Sequence, residues 1–362
     1  MSDERTIEAR IYERLSKVID PELGRSVTDL GMIAAIDATP VAGETNTYDV
    51  RVRVELTVEG CPLSQTITNQ INGAVASYPD ATLIPSIEVG SMSQDKLTQL
   101  VAGLKAERKQ NPFNKPGIKT RIFAIASGKG GVGKSFVTGA IATELSRHGH
   151  KVGVLDADIT GPSIPKMFGM SGRHVHALGN LMLPEISEHG VKIMSSNLLL
   201  QNETDPVLWR GPVIAGAIRQ FWSETSWGPI DYLMVDMPPG TGDVPLTVFQ
   251  SLPVDGIVVV ASPQELVSMI VAKAVNMAEM MKVPMLGIVE NMSYIVCPDC
   301  GKHINVFGDS HVDEVAAKHH LPVLAKCPID PQLAALSDAG MIETYGGQFL
   351  EGAADACEKL LK

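Results

Sequence analysis

The residues best equipped for chemistry form a glycine-rich run, Gly128-Lys129-Gly130-Gly131-Val132-Gly133-Lys134-Ser135, between the apolar stretch IFAIAS and the helical pattern FVTGAIATELSRHG. In that context the glycines let backbone N–H groups converge on phosphate oxygens, Lys134 reaches the β- and γ-phosphates, and the Ser135 hydroxyl is placed to ligate Mg²⁺. A dinucleotide-binding turn has no use for the Lys-Ser pair. Two further apolar runs end in acids: KVGVLDAD delivers Asp156 and Asp158, and YLMVDMPPGTGD delivers Asp236. Asp236 is expected to hold the Mg²⁺ shell and Asp158 to orient the attacking water on ATP; the plainer role for each is a helix N-cap, which Thr160 and Ser163 could share.

A second group is thiol chemistry. Of the five cysteines, Cys297 and Cys300 stand at CxxC spacing in NMSYIVCPDCGKH, expected to be a loop between a Leu286 to Glu290 strand and a helix near His311. Two thiolates chelate one side of a metal centre, and a 4Fe-4S cluster needs four, so a two-fold dimer presenting the same loop twice is one solution. A zinc site closed within one chain by Cys297, Cys300, His303 and His311 fits the spacing equally well. A redox pair fits less well, because no helix N-terminus is expected there to lower a thiol pKa. Cys61, in Gly60-Cys61-Pro62, is expected at a helix start whose dipole favours thiolate, against the plain role of a small buried hydrophobe. Cys327 and Cys357 read as structural.

The elements that must position these groups are legible from hydrophobic pattern. IFAIAS, KVGVLDAD, VKIMSS, YLMVDMPPG, GIVVVAS and MLGIVEN are near-continuous apolar runs, each followed by a turn and a helical pattern. Strands buried on both faces and alternating with helices predict an α/β fold, a doubly wound and mostly parallel sheet with ligands at its carboxyl ends. Before it, Ile7, Ile11, Leu15 and Val18 predict an amphipathic helix, and Val50, Val52, Val54 and Leu56 alternate as in a half-buried strand, followed by a helix from about Leu63 to Tyr78. The expected division is a smaller α+β domain over 1–104, a charged, Pro-broken linker over 105–119, and a P-loop domain over 120–362.

Composition narrows the classes. With 44% hydrophobic and 20% charged residues over 362 positions the chain reads as two folded domains, and its net charge of -11 supplies no basic field for nucleic acid or anionic lipid. The opening residues lack the apolar core of an export signal and no run reaches the length of a bilayer span, so a soluble, cytoplasmic protein with reduced thiols and without nucleic-acid or membrane partners is expected.

KGGVGKS, with Lys129 five residues before Lys134, resembles the deviant Walker A motif of the nitrogenase iron protein, the Min and Par positioning ATPases and the arsenite pump ATPase. That resemblance implies a nucleotide-sandwich homodimer in which Lys129 reaches the partner's nucleotide. It also implies base recognition by Asn291 together with the CPID segment around Pro328 and Asp330. KGGVGKS with DADITGPS, WRGP, DMPPGTGD and ENMSYIVCPDCG resembles the Mrp/ApbC iron-sulfur cluster carrier ATPases over about residues 119 to 362. This implies a 4Fe-4S cluster bridging Cys297 and Cys300 of two subunits, cluster donors, apo iron-sulfur proteins as recipients, and ATP-dependent transfer. VIDPELGRSVTDLGMI and VELTVEGCPLS resemble the small domain of SufT-type maturation factors, on which Asp20, Glu22, Thr57 and Cys61 match the characteristic positions. The rivals are a Min- or Par-type positioning ATPase, which needs a basic lipid- or DNA-gripping surface that FLEGAADACEKLLK does not offer, and a zinc-stabilised nucleotide switch.

The acids and lysines make separable expectations. Lys134→Ala should abolish ATP hydrolysis and weaken nucleotide binding, whereas Asp158→Asn should retain nucleotide and slow only the chemical step. Hydrolysis by the Asp158 variant at the wild-type rate would remove it from the water-orienting role.

Overall fold

In a computed structural model of the chain, the described residues are 6–21, 23–57, 64–100, 120–159, 161–179, 181–200, 202, 211–240, 245–246, 249, 252–263, 267–346 and 349–359. They fall into two compact units: Met1–Gln110 with His176–Leu183 and Ser226–Gly228, and the remainder. Residues 105–119, the expected linker, lie outside the described residues. That 176–183 joins the first unit was not expected from the sequence.

The first unit opens with α1 (Ile7–Leu15), started by the Thr6 hydroxyl accepting from the Ala9 N–H and burying Ile11 and Leu15 one turn apart. Strand β1 (Ile33–Pro40) runs antiparallel to β2 (Thr47–Leu56). In β2 the buried residues Val50, Val52 and Val54 alternate with exposed Arg51 and Arg53, the period of a sheet wet on one face. Helix α2 (Ser64–Ala76) buries Ile67, Ile71 and Val75, and β3 (Thr82–Ser91) pairs parallel to β2. The expected helix over Leu63 to Tyr78 therefore forms, shorter at its C-terminal end.

The second unit begins with β4 (Arg121–Ala126), then α3 (Lys134–Arg147), β5 (Val152–Asp156) and the short α4 (Ile164–Met167). The hairpin β6 (His176–Leu178) and β7 (Leu181–Leu183), which belongs to the first unit, is followed by β8 (Glu185–Ile186) and β9 (Lys192–Met194). Next come α5 (Gly211–Ser223), β10 (Tyr232–Asp236), β11 (Gly256–Ala261), α6 (Val267–Met281) and β12 (Met285–Val296). The unit closes with β13 (His303–Ile304), α7 (Val312–Lys318), β14 (Val323–Pro328), α8 (Pro331–Asp338) and α9 (Glu351–Lys359).

Among the described residues the sheet order is β13-β12-β11-β4-β10-β5-β9-β8, with β14 also on β12. The inner ladders are parallel, and β8 and β13 add antiparallel edges. Every residue of β5, β10 and β11 is buried, as strands covered by helices on both faces require. In register, Asp236 at the end of β10 lies beside Asp156 of β5 on one side and Ile125 of β4 on the other. The carboxyl ends of three neighbouring strands therefore deliver the P-loop and both acids to one place. No helix among the described residues is long and apolar enough to cross a membrane.

The C-terminal helix α9 is fastened to the end of α3 by charge. Glu358 Oε1 lies 2.7 Å from His148 Nδ1 and 3.1 Å from His150 Nε2, and Glu144 adds a longer contact to His148 at 3.7 Å. The hydrogen bond that the imidazole donates to Glu358, with Glu144 and Asp355 adding charge, raises the His148 pKa above 6.5; accepting that bond holds Glu358 below 4.5. The histidine contribution is full below its unfolded value and is lost as pH rises through the raised value, while the glutamate contribution is lost only as pH falls through the lowered one. The pair is thus strongest between about pH 4.5 and 6.5. The gap in urea midpoint between the native chain and Glu358→Gln should be widest near pH 6 and narrow toward pH 8; a constant gap would show that this pair does not carry that pH dependence.

Candidate functional site

The glycine-rich turn opens α3 in the way a phosphate cradle requires. Gly131 and Gly133 have φ of 82° and 78°, a region costly for residues with a Cβ, and Gly133 is the N-cap with no side chain closing the first N–H groups of the helix. A cavity of about 300 Å³ lies over this turn, lined by Lys129, Lys134, Ser135, Asp158, Ser163 and Met167 among others. The structure thus brings Lys129, Gly130, Gly131, Val132, Gly133, Lys134, Ser135 and Asp158 to one surface, with Gly128 leading into it.

Beneath the cradle, Asp236 is fully buried and accepts three hydrogen bonds: Lys134 Nζ to Oδ1 at 2.7 Å, Thr138 Oγ1 to Oδ1 at 2.7 Å, and Ser135 Oγ to Oδ2 at 2.6 Å. An ammonium has three donors; one goes to Asp236 and a longer one to Ser135 Oγ at 3.4 Å, which leaves a third for a phosphate oxygen. The Ser135 hydroxyl and the Asp236 carboxylate together fit the oxygen preference of Mg²⁺.

Asp156, beside Asp236 in the sheet, is the acid whose role sequence did not specify. It accepts from the Asp158 N–H at 3.2 Å, the Ile164 N–H at 3.3 Å and the Ser195 hydroxyl at 3.2 Å, so it pins both ends of the loop that carries Asp158. Burial, and then the neighbouring Asp236 charge, push its pKa well above the usual carboxylate range against the pull of Lys134. Asp158 itself accepts from Gly161 N–H at 3.2 Å, a turn rather than a helix cap, and lines the cavity. Thr138 and Ser127 also went unread in the sequence. The Ser127 hydroxyl is buried with no hydrogen-bond partner among the described residues, at the strand end just before the cradle.

A larger cavity of about 480 Å³ shares Gly133 and Phe136 with the cradle wall and continues along Asn291, Met292, Phe307 and Pro328 to Asp330. Asn291, Pro328 and Asp330, singled out from sequence, therefore lie together. Asn291 Nδ2 donates to Val132 O at 2.9 Å, which commits one of its two N–H bonds to the P-loop. Asp330 caps α8 by accepting from Gln332 N–H at 2.8 Å.

The thiol pair is not on a free loop. Strand β12 continues past Asn291 to Val296 and returns antiparallel as β13, pairing Ile295 with Ile304 and Val296 with His303, so Cys297 and Cys300 occupy a hairpin turn. Cys297 N–H donates to Lys302 O and Gly301 N–H to Cys297 O, both at 2.9 Å. The Cys297 thiol pKa is lowered, first by the Asp299 backbone N–H and then by Cys300; a turn does what the sequence reading reserved for a helix N-terminus. By contrast burial pushes Cys327 and Cys357 to about 12.

His303 is stacked on Tyr294, ring centroids 3.9 Å apart, and His311 precedes α7 facing Glu314 at 3.5 Å. Among the described residues no three His, Cys, Asp or Glu side chains gather as a metal would need. Glu290, also unread in the sequence, is fully buried and accepts from the Ser293 and Ser310 hydroxyls, the latter at 2.6 Å. Cys61, Glu22, Thr160, Trp209, Arg210 and the 241–243 stretch of DMPPGTGD lie outside the described residues, and of the remaining amino-domain positions Asp20 is buried and accepts from Leu23 N–H at 2.8 Å while Thr57 is buried.

A Cβ built on Gly133 would overlap Asn291 Nδ2 and would have to take a left-handed backbone. The strained backbone costs roughly 1–2 kcal/mol, and a free protein that relieves it by leaving the left-handed region must regain the cradle conformation on binding, which corresponds to about a ten-fold loss of affinity. Gly133→Ala should weaken ADP binding by about ten-fold or more by calorimetry with little change in the fold by circular dichroism; unaltered affinity would remove this interlock from the site.

Similarity to known proteins agrees with this geometry. Residues 118–360 match the family model described as NUBPL iron-transfer P-loop NTPase, and residues 8–84 match that of the iron-sulfur cluster assembly protein. An iron-sulfur cluster carrier protein of Mycobacterium leprae is 38% identical over 92% of this chain and 87% of its own length; that of Clostridium perfringens is 46% identical over 62% and 81%. A nucleotide-binding protein of Archaeoglobus fulgidus, solved in complex with ADP and with Co, is 44% identical with a TM-score of 0.58, covering 64% of this chain and 90% of that one. With a nucleotide cradle, a thiol hairpin and these relatives in agreement, the chain belongs to the iron-transfer P-loop NTPase family of iron-sulfur cluster carriers, with an iron-sulfur assembly domain at its amino end.

Proposed function

We propose that the protein is an ATP-hydrolysing carrier that holds a 4Fe-4S cluster between two copies of itself and delivers it to apo-proteins. The observation that carries this reading is the ligand set of the hairpin turn: two accessible thiols, one of them acidified, and no third ligand gathered beside them among the described residues. Four thiolates are needed for such a cluster, and a two-fold axis through the turn supplies them as two identical pairs. Accessibility suits a cargo that must leave. The carrier relatives support the same reading.

In the nucleotide half, Lys134 and the cradle N–H groups hold the phosphates, and Asp158, fixed through Asp156, orients water for attack on the γ-phosphorus. Bound Mg²⁺ supplies neutralisation of the phosphate charge, with Ser135 and Asp236 as the residues to hold it. Lys129 lines the cradle and is assigned to reach the partner's nucleotide. The cavity beside Gly133 and Asn291 is assigned to the adenine base. ATP binding and hydrolysis then set when the two hairpins stay together and when the cluster is released.

Anaerobic reconstitution with iron and sulfide should yield about one 4Fe-4S centre per dimer, and Cys297→Ala or Cys300→Ala should each lose essentially all of it, since one substitution removes two ligands of four. One metal ion per chain without sulfide, lost equally in His303→Ala, would instead identify an intrachain zinc site and overturn the carrier reading.

A further inference from the structure

The thiol turn and the larger cavity are built from one stretch of chain. Asn291 and Met292 enter the cavity wall, Cys297 and Cys300 follow at the turn, and Phe307 returns to the same wall three residues after β13. Both ends of the thiol-bearing excursion are therefore cavity lining.

Three restraints make that excursion move as a unit. The Ile295–Ile304 and Val296–His303 pairs close the hairpin, and Tyr294 stacks flat on His303. Glu290 clamps its base, because one buried carboxylate accepts from Ser293 at the outgoing end and from Ser310 at the returning end. Inside that clamp the strand changes course: Met292 takes a φ of 59°, where the pairing of β12 with β14 shifts register between Glu290 and Tyr294, and the Ile329 N–H donating to Tyr294 O at 2.7 Å holds the outgoing arm beyond it. With the outgoing arm held at both Ser293 and Tyr294, a push on Phe307 is passed along the returning arm into the hairpin.

Phe307 is also the wall residue with most to gain from an occupant. The residue is 45% exposed, and a flat heteroaromatic ring in the cavity would cover its ring. An occupant that interacts differently with two arrangements of one segment must shift the balance between them. We propose that Phe307 is a positioning residue that couples occupancy of the nucleotide cavity to the exposure of Cys297 and Cys300. The inference rests on reading that cavity as the base site, but not on which metal the thiols hold.

The test uses the full-length, cluster-free protein. Alkylation of Cys297 and Cys300 by iodoacetamide is timed by peptide mass spectrometry without ADP and with ADP at saturation for each variant. In the native chain ADP should change the rate constant by about five-fold or more, the lower end of ordinary coupling between sites. In Phe307→Ala the change should fall below about two-fold even with its site saturated, and Phe307→Tyr should restore it. Equal rates with and without ADP in the native chain, or full coupling in Phe307→Ala, would overturn the proposal. Loss of the cluster reading is seen separately, in the iron and sulfide count, and leaves this result standing.

Discussion

The structure of the nucleotide site depends on a single buried ion pair, Lys134 with Asp236. A carboxylate with no exposed surface is tolerable only because an ammonium and two hydroxyls, from Ser135 and Thr138, converge on it. All three donors come from the first turns of α3, so the pair locks the start of that helix to the end of β10. Removing one partner of such a pair costs about 3–5 kcal/mol, because the other charge is left buried alone. The same pair explains the neighbouring acid: Asp156 shares the low-dielectric strand ends with Asp236, which already holds the lysine, and so favours its neutral form.

Strand β12 has the widest reach of the sheet strands. Its first half is an ordinary buried parallel strand between β11 and β14, and its second half leaves the sheet body to make the thiol hairpin. The change of role falls at Glu290 to Met292, where a buried carboxylate, an amide tied to the P-loop and a left-handed residue follow one another. The amide tied to the P-loop and the first thiol are separated by five residues of one strand, Met292 to Val296.

Six strands were legible because each is a near-continuous apolar run, and the cradle because its glycines precede Lys134 and Ser135 in the right strand and helix context. What was not legible depends on neighbours distant in sequence. β14, VLAKCP, carries a lysine and only partial burial, so no simple period marks it, and the hairpin extension of β12 reads as loop because its residues are covered unevenly. Asp156 was found as an acid but not as the pin for Asp158, since its donors come from Ile164 and Ser195 on other elements. Glu290 hid inside GIVEN for the same reason. The lowered thiol of Cys297 is not legible either, because no helix start marks it and the N–H groups that lower it are aimed by a tight turn.

The contact between Gly133 and Asn291 also restricts how these positions can change. Gly133 has no space for a β-carbon while the Asn291 amide lies against it, and Asn291 is held there by the Val132 carbonyl. Shortening the 291 side chain would clear the space but not the backbone, since position 133 keeps a φ of 78° that burdens any residue with a Cβ, and it gives up the bond to Val132 as well. Position 133 is therefore held to glycine twice, by its own dihedral and by an amide from far along the chain, and relieving one constraint leaves the other in force. Drift should spare this glycine even in a lineage that loses the asparagine.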